Sequence, residues 1–308
     1  PIGAVFSYLF NDTLRSNKEL RQKKEQKLIE NGEDVEYPSL ESLRTEDREE
    51  DPYLIFTIYD QSGNEIRKLT EKPNLGINRI VWNFRLAAQS SIQLNVSKPG
   101  RYGEAKNGPL ALPGNYSVSM HKVVNGNATL MVDKTPFSCV WLDDLSTPTD
   151  NKSELLSFQI KVEKLRKAVD ASGKVLYDLN NRLKFIESAI NSYPNLDLNK
   201  LNDIYKLKFL KDSLSIELYG DQSLSKRDIE QKESISGIVG VIIWNMWRSR
   251  SNPTETNKML YNSAGSDFTA LVPNFLKYST GVESLEKYLE ENKVPFTPGR
   301  SLIIDWKM

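Results

Sequence analysis

Few residues in this chain are of the types that make and break bonds, and no motif brings them together. His121 is the only histidine and Cys139 the only cysteine. A Cys–His couple needs thiolate and imidazole within hydrogen-bond reach, and nothing around either residue supports that meeting. His121 lies in an alternating stretch and reads as a polar strand position. One cysteine permits neither an intrachain disulfide nor a thiolate metal cage. No serine stands in a G-x-S-x-G elbow. Carboxylates are plentiful, and the densest groups are Asp143-Asp144 and Glu49–Asp51. Adjacency in sequence does not set the roughly 5–9 Å separation of a glycosidase pair, so capping and solvation are the expected roles. Calcium at Asp143-Asp144 lacks a D-x-D-x-D-G loop. "GIVG" at 237–240 lacks the phosphate-loop spacing and reads as small residues allowing close helix packing. The sequence therefore nominates no catalytic, cofactor-binding or metal-ligating residue, and no cofactor.

The totals bound what remains. With 41 Lys+Arg against 41 Asp+Glu, the chain lacks the basic surplus that phosphate neutralisation requires, so nucleic acid is not an expected partner. The longest apolar run, Ile238–Trp244, is far short of the roughly 20 residues of a membrane span. A length of 308 residues suits two domains with real cores. The chain opens at Pro1 with no charged-then-apolar leader behind it, which reads as a processed or truncated product. Sequons stand at Asn11, Asn95, Asn115, Asn127 and Asn151, and they matter only on a glycosylating secretory route.

Two periodicities divide the chain. Residues 1–14 alternate, with Ala4, Phe6, Tyr8 and Phe10 on one side, and predict a first strand. The charged stretch 15–51 reads as a solvated helical excursion. Strands resume at Leu54–Tyr59, turn at Ser62–Asn64 and return over Glu65–Leu69. Asn78–Phe84 follows, with Ile80 and Trp82 on one face. Pro113-Gly114 precedes a strand with Tyr116, Val118 and Met120 alternating, and "NGN" at 125–127 turns it into Ala128–Val132. Short strands at this spacing predict a β-sandwich over 1–146. From 147 the period becomes about 3.6, with a cap expected at Thr149 or Asp150. Leu155, Phe158, Val162, Leu165, Val169, Leu176, Leu179, Leu183 and Ile186 form the stripe of one long helix. A returning helix is expected over Leu198–Leu218 and a short apolar one over Ile235–Trp247. The last segment should be kinked or restarted at Pro273. Trp244 and Trp247, three apart, are expected on one buried face. Arg300 and Trp306 should strap the tail onto this half. The whole reads as α+β and multidomain: an Ig-like β-sandwich with a charged helical insertion, then an antiparallel helical bundle over 147–308.

Several stretches carry a resemblance: "PIGAVFSYLF", "YPSLESLRTEDREEDPYLIFTIYDQSGNEIRKL", "GINRIVWNFR", "GPLALPGNYSVSMHKVVNG", "LYGD", "NPTETNKMLY" and "VPFTPGR". In that order they resemble the C-terminal region of bacterial sortilin- or VPS10-like, BNR-repeat "glycosyl hydrolase" propeller proteins, common in Bacteroidetes. The first half is also similar to the Ig-like domain that closes many secreted bacterial proteins. The resemblance implies export to the periplasm or cell surface. It implies a non-catalytic module that caps a propeller and docks to a protein partner, whether its own N-terminal propeller or an envelope assembly. The alternative is an accessory region of a sialidase-like glycoside hydrolase whose catalytic propeller lies outside this chain. Neither propeller repeats nor the S-x-D-x-G-x-x-W box occur here, so no glycosidase residue is carried over. A carbohydrate-binding face would instead require an exposed planar aromatic row, and Trp82 and Tyr116 are expected inside.

Overall fold

The computed structural model describes residues 3–12, 14–92, 107–140, 152–248 and 251–301. It is an α+β chain whose C-terminal region is helical. Packing divides it into two units: Pro1–Ala87 with Asn107–Ser146, and Ala88–Lys106 with Thr147–Met308.

In the first unit, β1 (Ala4–Phe10) pairs antiparallel with β4 (Gly76–Trp82). A four-stranded antiparallel sheet has the order β3-β2-β7-β8, formed by β3 (Glu65–Glu71), β2 (Tyr53–Tyr59), β7 (Gly114–Val124) and β8 (Asn127–Cys139). Alternation decides which side chains go inward. Phe10 from β1, Ile80 from β4, Leu54 and Phe56 from β2, and Met120 from β7 share one core, so the two sheets face each other. Beside it Trp82, Ile58 and Ala111 form a second cluster. The 60–64 turn closes because the Asp60 carboxylate accepts from the Ser62 and Asn64 amides, both at 2.9 Å. Gly63 there adopts φ +82°, which glycine does without steric cost.

Three strand features escaped the sequence. β8 runs to Cys139 rather than stopping at Val132, although it contains Asp133, Lys134 and Pro136. Among the described residues it pairs with β7 alone and is an edge strand, and an edge tolerates proline and charge. The short β5 (Arg85–Ala87) and β6 (Asn107–Leu110) pair with each other and lack any periodic signal.

The charged excursion forms α1 (Asn17–Glu30) and α2 (Leu40–Arg48), and neither buries a residue. Ser16 and Glu19 cap α1 reciprocally, satisfying two amides that the first turn leaves open. Arg21 joins the helices, its guanidinium on both Glu46 carboxylate oxygens at 2.7 and 2.8 Å.

The second unit is built from α3 (Lys152–Ser192), α4 (Lys200–Tyr219), the short α5 (Gln222–Ser225), α6 (Ile235–Arg248) and α7 (Glu255–Glu291). The long ones enclose one apolar core that uses every residue of the expected α3 stripe. Helix α7 does not restart at Pro273, which lies inside it, and the placing of Trp244 differs from expectation. Proline removes one amide donor at a cost of about 3 kcal/mol. Phe268 and Leu271 before it, and Phe275 and Tyr278 after it, dock on the same core and offset that cost. Trp247 is buried, whereas Trp244 is 53% exposed. At about 100° per residue, Ile235, Ile238, Val239, Ile242 and Met246 define the inner face, and Trp244 points to the opposite one.

Candidate functional site

Helix α3 carries a second stripe beside its apolar one. Glu163, Arg166, Asp170, Lys174 and Tyr177 follow at steps of three and four, which places them on one face. That face meets the extended residues 88–92 of the same unit. The Gln89 amide donates to Glu163 Oε2 at 2.9 Å, and Arg166 lies 3.2 Å from Glu163 Oε1. Both side chains are buried. Burial pushes the Glu163 carboxyl above its ordinary range, opposed by Arg166 and by the Gln89 amide.

One turn further along, the stripe opens into a cleft of about 420 Å³ lined by Asp170, Gly173, Lys174, Tyr177, Tyr219, Ser90 and Ser91. Gly173 makes it possible. A Cβ there would stand 1.5 Å from the Tyr219 hydroxyl, so glycine leaves the space in which that ring lies against α3. Asp170 is raised by burial, against the pull of Arg166 and Lys174. Tyr219 is raised by burial and then by Asp170.

The cleft offers an anionic acceptor, an ammonium, two hydroxyls and two phenol rings, which is recognition chemistry for a small polar group. Glu163, one turn and more before the cleft on the same helix, is engaged by Gln89 and Arg166, which leaves Asp170 as the carboxylate that lines the cleft.

Asp170 gives a pH-dependent test. Its carboxyl titrates above the ordinary 3.8 in the folded chain, so the folded state holds that proton longer than the unfolded one. Stability from this group is then present at low pH and lost as pH rises from 3.8 through the raised value. Asp170→Asn is expected to raise the melting temperature at pH 7. The gain should shrink to nothing as pH falls below the ordinary carboxylate range, which differential scanning calorimetry at several pH values measures.

The residues singled out from sequence do not assemble. His121 pairs with Leu130 across the sheet, whereas Cys139 pairs with Gly114, seven residues away along β7. At about 3.3 Å per residue that is roughly 23 Å, so no Cys–His couple exists. Burial also raises the Cys139 thiol, which keeps it from the nucleophilic thiolate form. Glu49 caps the C-terminus of α2 and accepts from the Asn17 amide. Asp143-Asp144 and the expected cap at Thr149 or Asp150 lie outside the described residues, as does Trp306. Gly240 faces open space, so close helix packing is not its reason. Gly281 has that role instead, with Leu207 2.6 Å from where its Cβ would be. Arg300 holds the tail by donating to the Pro295 and Val294 carbonyls. Trp82 is buried at the centre of the sheet core, where it stacks on no ligand. Asn11, Asn115 and Asn127 are exposed, while Asn95 and Asn151 are outside the described residues.

Among the described residues no group of three or more His, Cys, Asp or Glu is placed to hold a metal ion. No described helix is long and apolar enough to cross a membrane. The α3 stripe is visible in the sequence as charges recurring at helical spacing. The arrival of residues 88–92 over it is a tertiary contact without a local signal. No known family, curated protein or solved structure matches this chain.

Proposed function

We propose that the chain is a non-catalytic interaction module: an Ig-like sandwich followed by a helical bundle, working as the C-terminal part of an exported propeller protein and docking through its helical unit. The observation that carries this reading is helix α4. Its inner face supplies Ile204, Leu214 and Leu218 to the core, yet its outer face is also apolar. Tyr205 is 70% exposed, Phe209 74% and Ile216 43%. Steps of four and seven put these three on one line. Tyr205 and Phe209 stand one turn apart, with Ile216 beyond the exposed Asp212, and exposed aromatic side chains on a helix that already has a buried face are a feature of docking surfaces.

The finer fold assignment has its own support. Two antiparallel sheets, β3-β2-β7-β8 and β1-β4, that share one core support the sandwich part of the reading. The Tyr116 hydroxyl, near the start of β7, donates to the Leu112 carbonyl, as a tyrosine corner does. Helices α3, α4, α6 and α7 around one core support the bundle. Export and the propeller connection rest on the sequence resemblance alone.

A photo-crosslinking amino acid at position 209, in the protein as its native cell makes it, tests the docking reading. The expected result is a covalent adduct whose mass fingerprint maps to a propeller segment or to one defined envelope protein. Crosslinking from 209 no stronger than from the exposed, polar position 161 would overturn it.

A further inference from the structure

We propose that the free edge of β1 pairs with β1 of a second copy of this chain, antiparallel about Ser7, joining two β1-β4 ribbons into one sheet. Unpaired strand edges present rows of amide and carbonyl groups, and proteins normally blunt them with charge, proline or bulges. Among the described strands, β1 departs from that rule. Edge strand β3 carries Glu65, Arg67, Lys68 and Glu71, and edge strand β8 carries Asp133, Lys134 and Pro136. β4 carries Arg79. Among strands of seven or more residues only β1 (AVFSYLF) and β2 (YLIFTIY) lack a charged side chain. β2 is central, paired on both sides. β1 has the composition of a central strand, yet among the described residues β4 alone pairs with it.

The outer face of the ribbon points the same way. Val5 is 44% exposed, Leu9 60% and Ile77 80%. Leu9 stands opposite Ile77, Ser7 opposite Arg79, and Val5 opposite Val81. A twofold axis at Ser7 sets Leu9 against Val5 of the second copy. Each outer row then reads Ile77, Leu9, Val5, Val81 across the four strands, an unbroken apolar row whose neighbouring pairs stabilise a sheet. Between the two apolar rows lies a polar row of Arg79, Ser7, Ser7 and Arg79. The two arginines stand three strand spacings apart, about 14 Å, beyond the roughly 8–10 Å over which salt leaves charges coupled. No like-charge clash opposes the pairing.

The register makes a specific test. Directly opposed Cα atoms in an antiparallel pair are about 4.5–5.5 Å apart, within the range a disulfide spans. Ser7→Cys in a Cys139→Ser background is expected to oxidise to a crosslinked dimer of twice the 35.2 kDa chain mass. Lys23→Cys, an exposed control on α1, should stay monomeric. Sedimentation velocity of the unmodified chain should show a concentration-dependent dimer that is lost in the Val5→Lys, Leu9→Lys double variant. Both substitutions are at exposed positions, and far-ultraviolet circular dichroism checks the fold. Phe209→Lys should leave the dimer intact, which separates this edge from the α4 stripe. A chain monomeric at every concentration, a Ser7→Cys variant that crosslinks no better than the control, or a dimer abolished by Phe209→Lys would each overturn the pairing.

Discussion

Glu286→Ala is expected to destabilise the helical unit by about 3–5 kcal/mol, the cost of stripping one partner from a buried ion pair. Glu286 on α7 is buried, and Arg182 on α3 donates to both of its carboxylate oxygens, from Nε at 2.7 Å and from its Nη2. The fork geometry makes this more than a surface contact. A third layer closes over it: Gly299 adopts φ +97°, and a Cβ there would lie 2.2 Å from Arg182 Nε. The guanidinium is thus held between α7 and the turn of the tail. Removing the carboxylate leaves a cation whose other acidic neighbours are Asp178, at 3.8 Å and largely solvated, and Glu283. Urea unfolding followed at 222 nm should show a lower midpoint with an unchanged slope. The double variant Arg182→Met, Glu286→Leu should recover much of the loss, because apolar replacement of both partners removes the stranded charge. A single variant within about 0.5 kcal/mol of the parent, the usual surface value, would show that the pair is solvated and contributes little.

Trp82→Ala is expected to cost about 3–5 kcal/mol in the sheet unit, the range for emptying a large aromatic from a core. Trp82 has no exposed surface. Its ring contacts Phe84 and Tyr116, each at 5.5 Å between centroids, and Phe137 at 6.0 Å. Its indole N–H donates to the Arg85 carbonyl at 2.9 Å. Alanine therefore removes the ring, three edge contacts and one buried hydrogen bond together. It also releases Phe84, a non-glycine residue at φ 58°, a conformation that persists only under such packing. Near-ultraviolet dichroism should report loss of the aromatic cluster. All of these partners lie in the sheet unit, so the helical signal at 222 nm should persist. Simultaneous loss of both signals would show that the two units unfold as one.

The sequence by itself determined the strands and helices with strong periods. The alternation at Ala4–Phe10 and the nine-residue stripe of α3 occupy the faces their spacing dictates, and the charged stretch 15–51 forms solvated helices. These are short-range signals, because a period of two or 3.6 is written into consecutive residues. Only the tertiary structure decided the rest. Pro273 stays inside a continuous helix because core contacts on both sides outweigh a local cost. Trp244 faces outward because the inner face of α6 was set by five other residues. β8 runs through Pro136 because it became an edge. Above all, the α3 cleft exists because residues 88–92 and Tyr219 arrive over Gly173 from distant parts of the chain. Its chemistry is readable in Asp170, Lys174 and Tyr177. Its enclosure depends on long-range contacts, whose partners are selected by the packing of the whole helical unit and leave no periodic mark in the sequence.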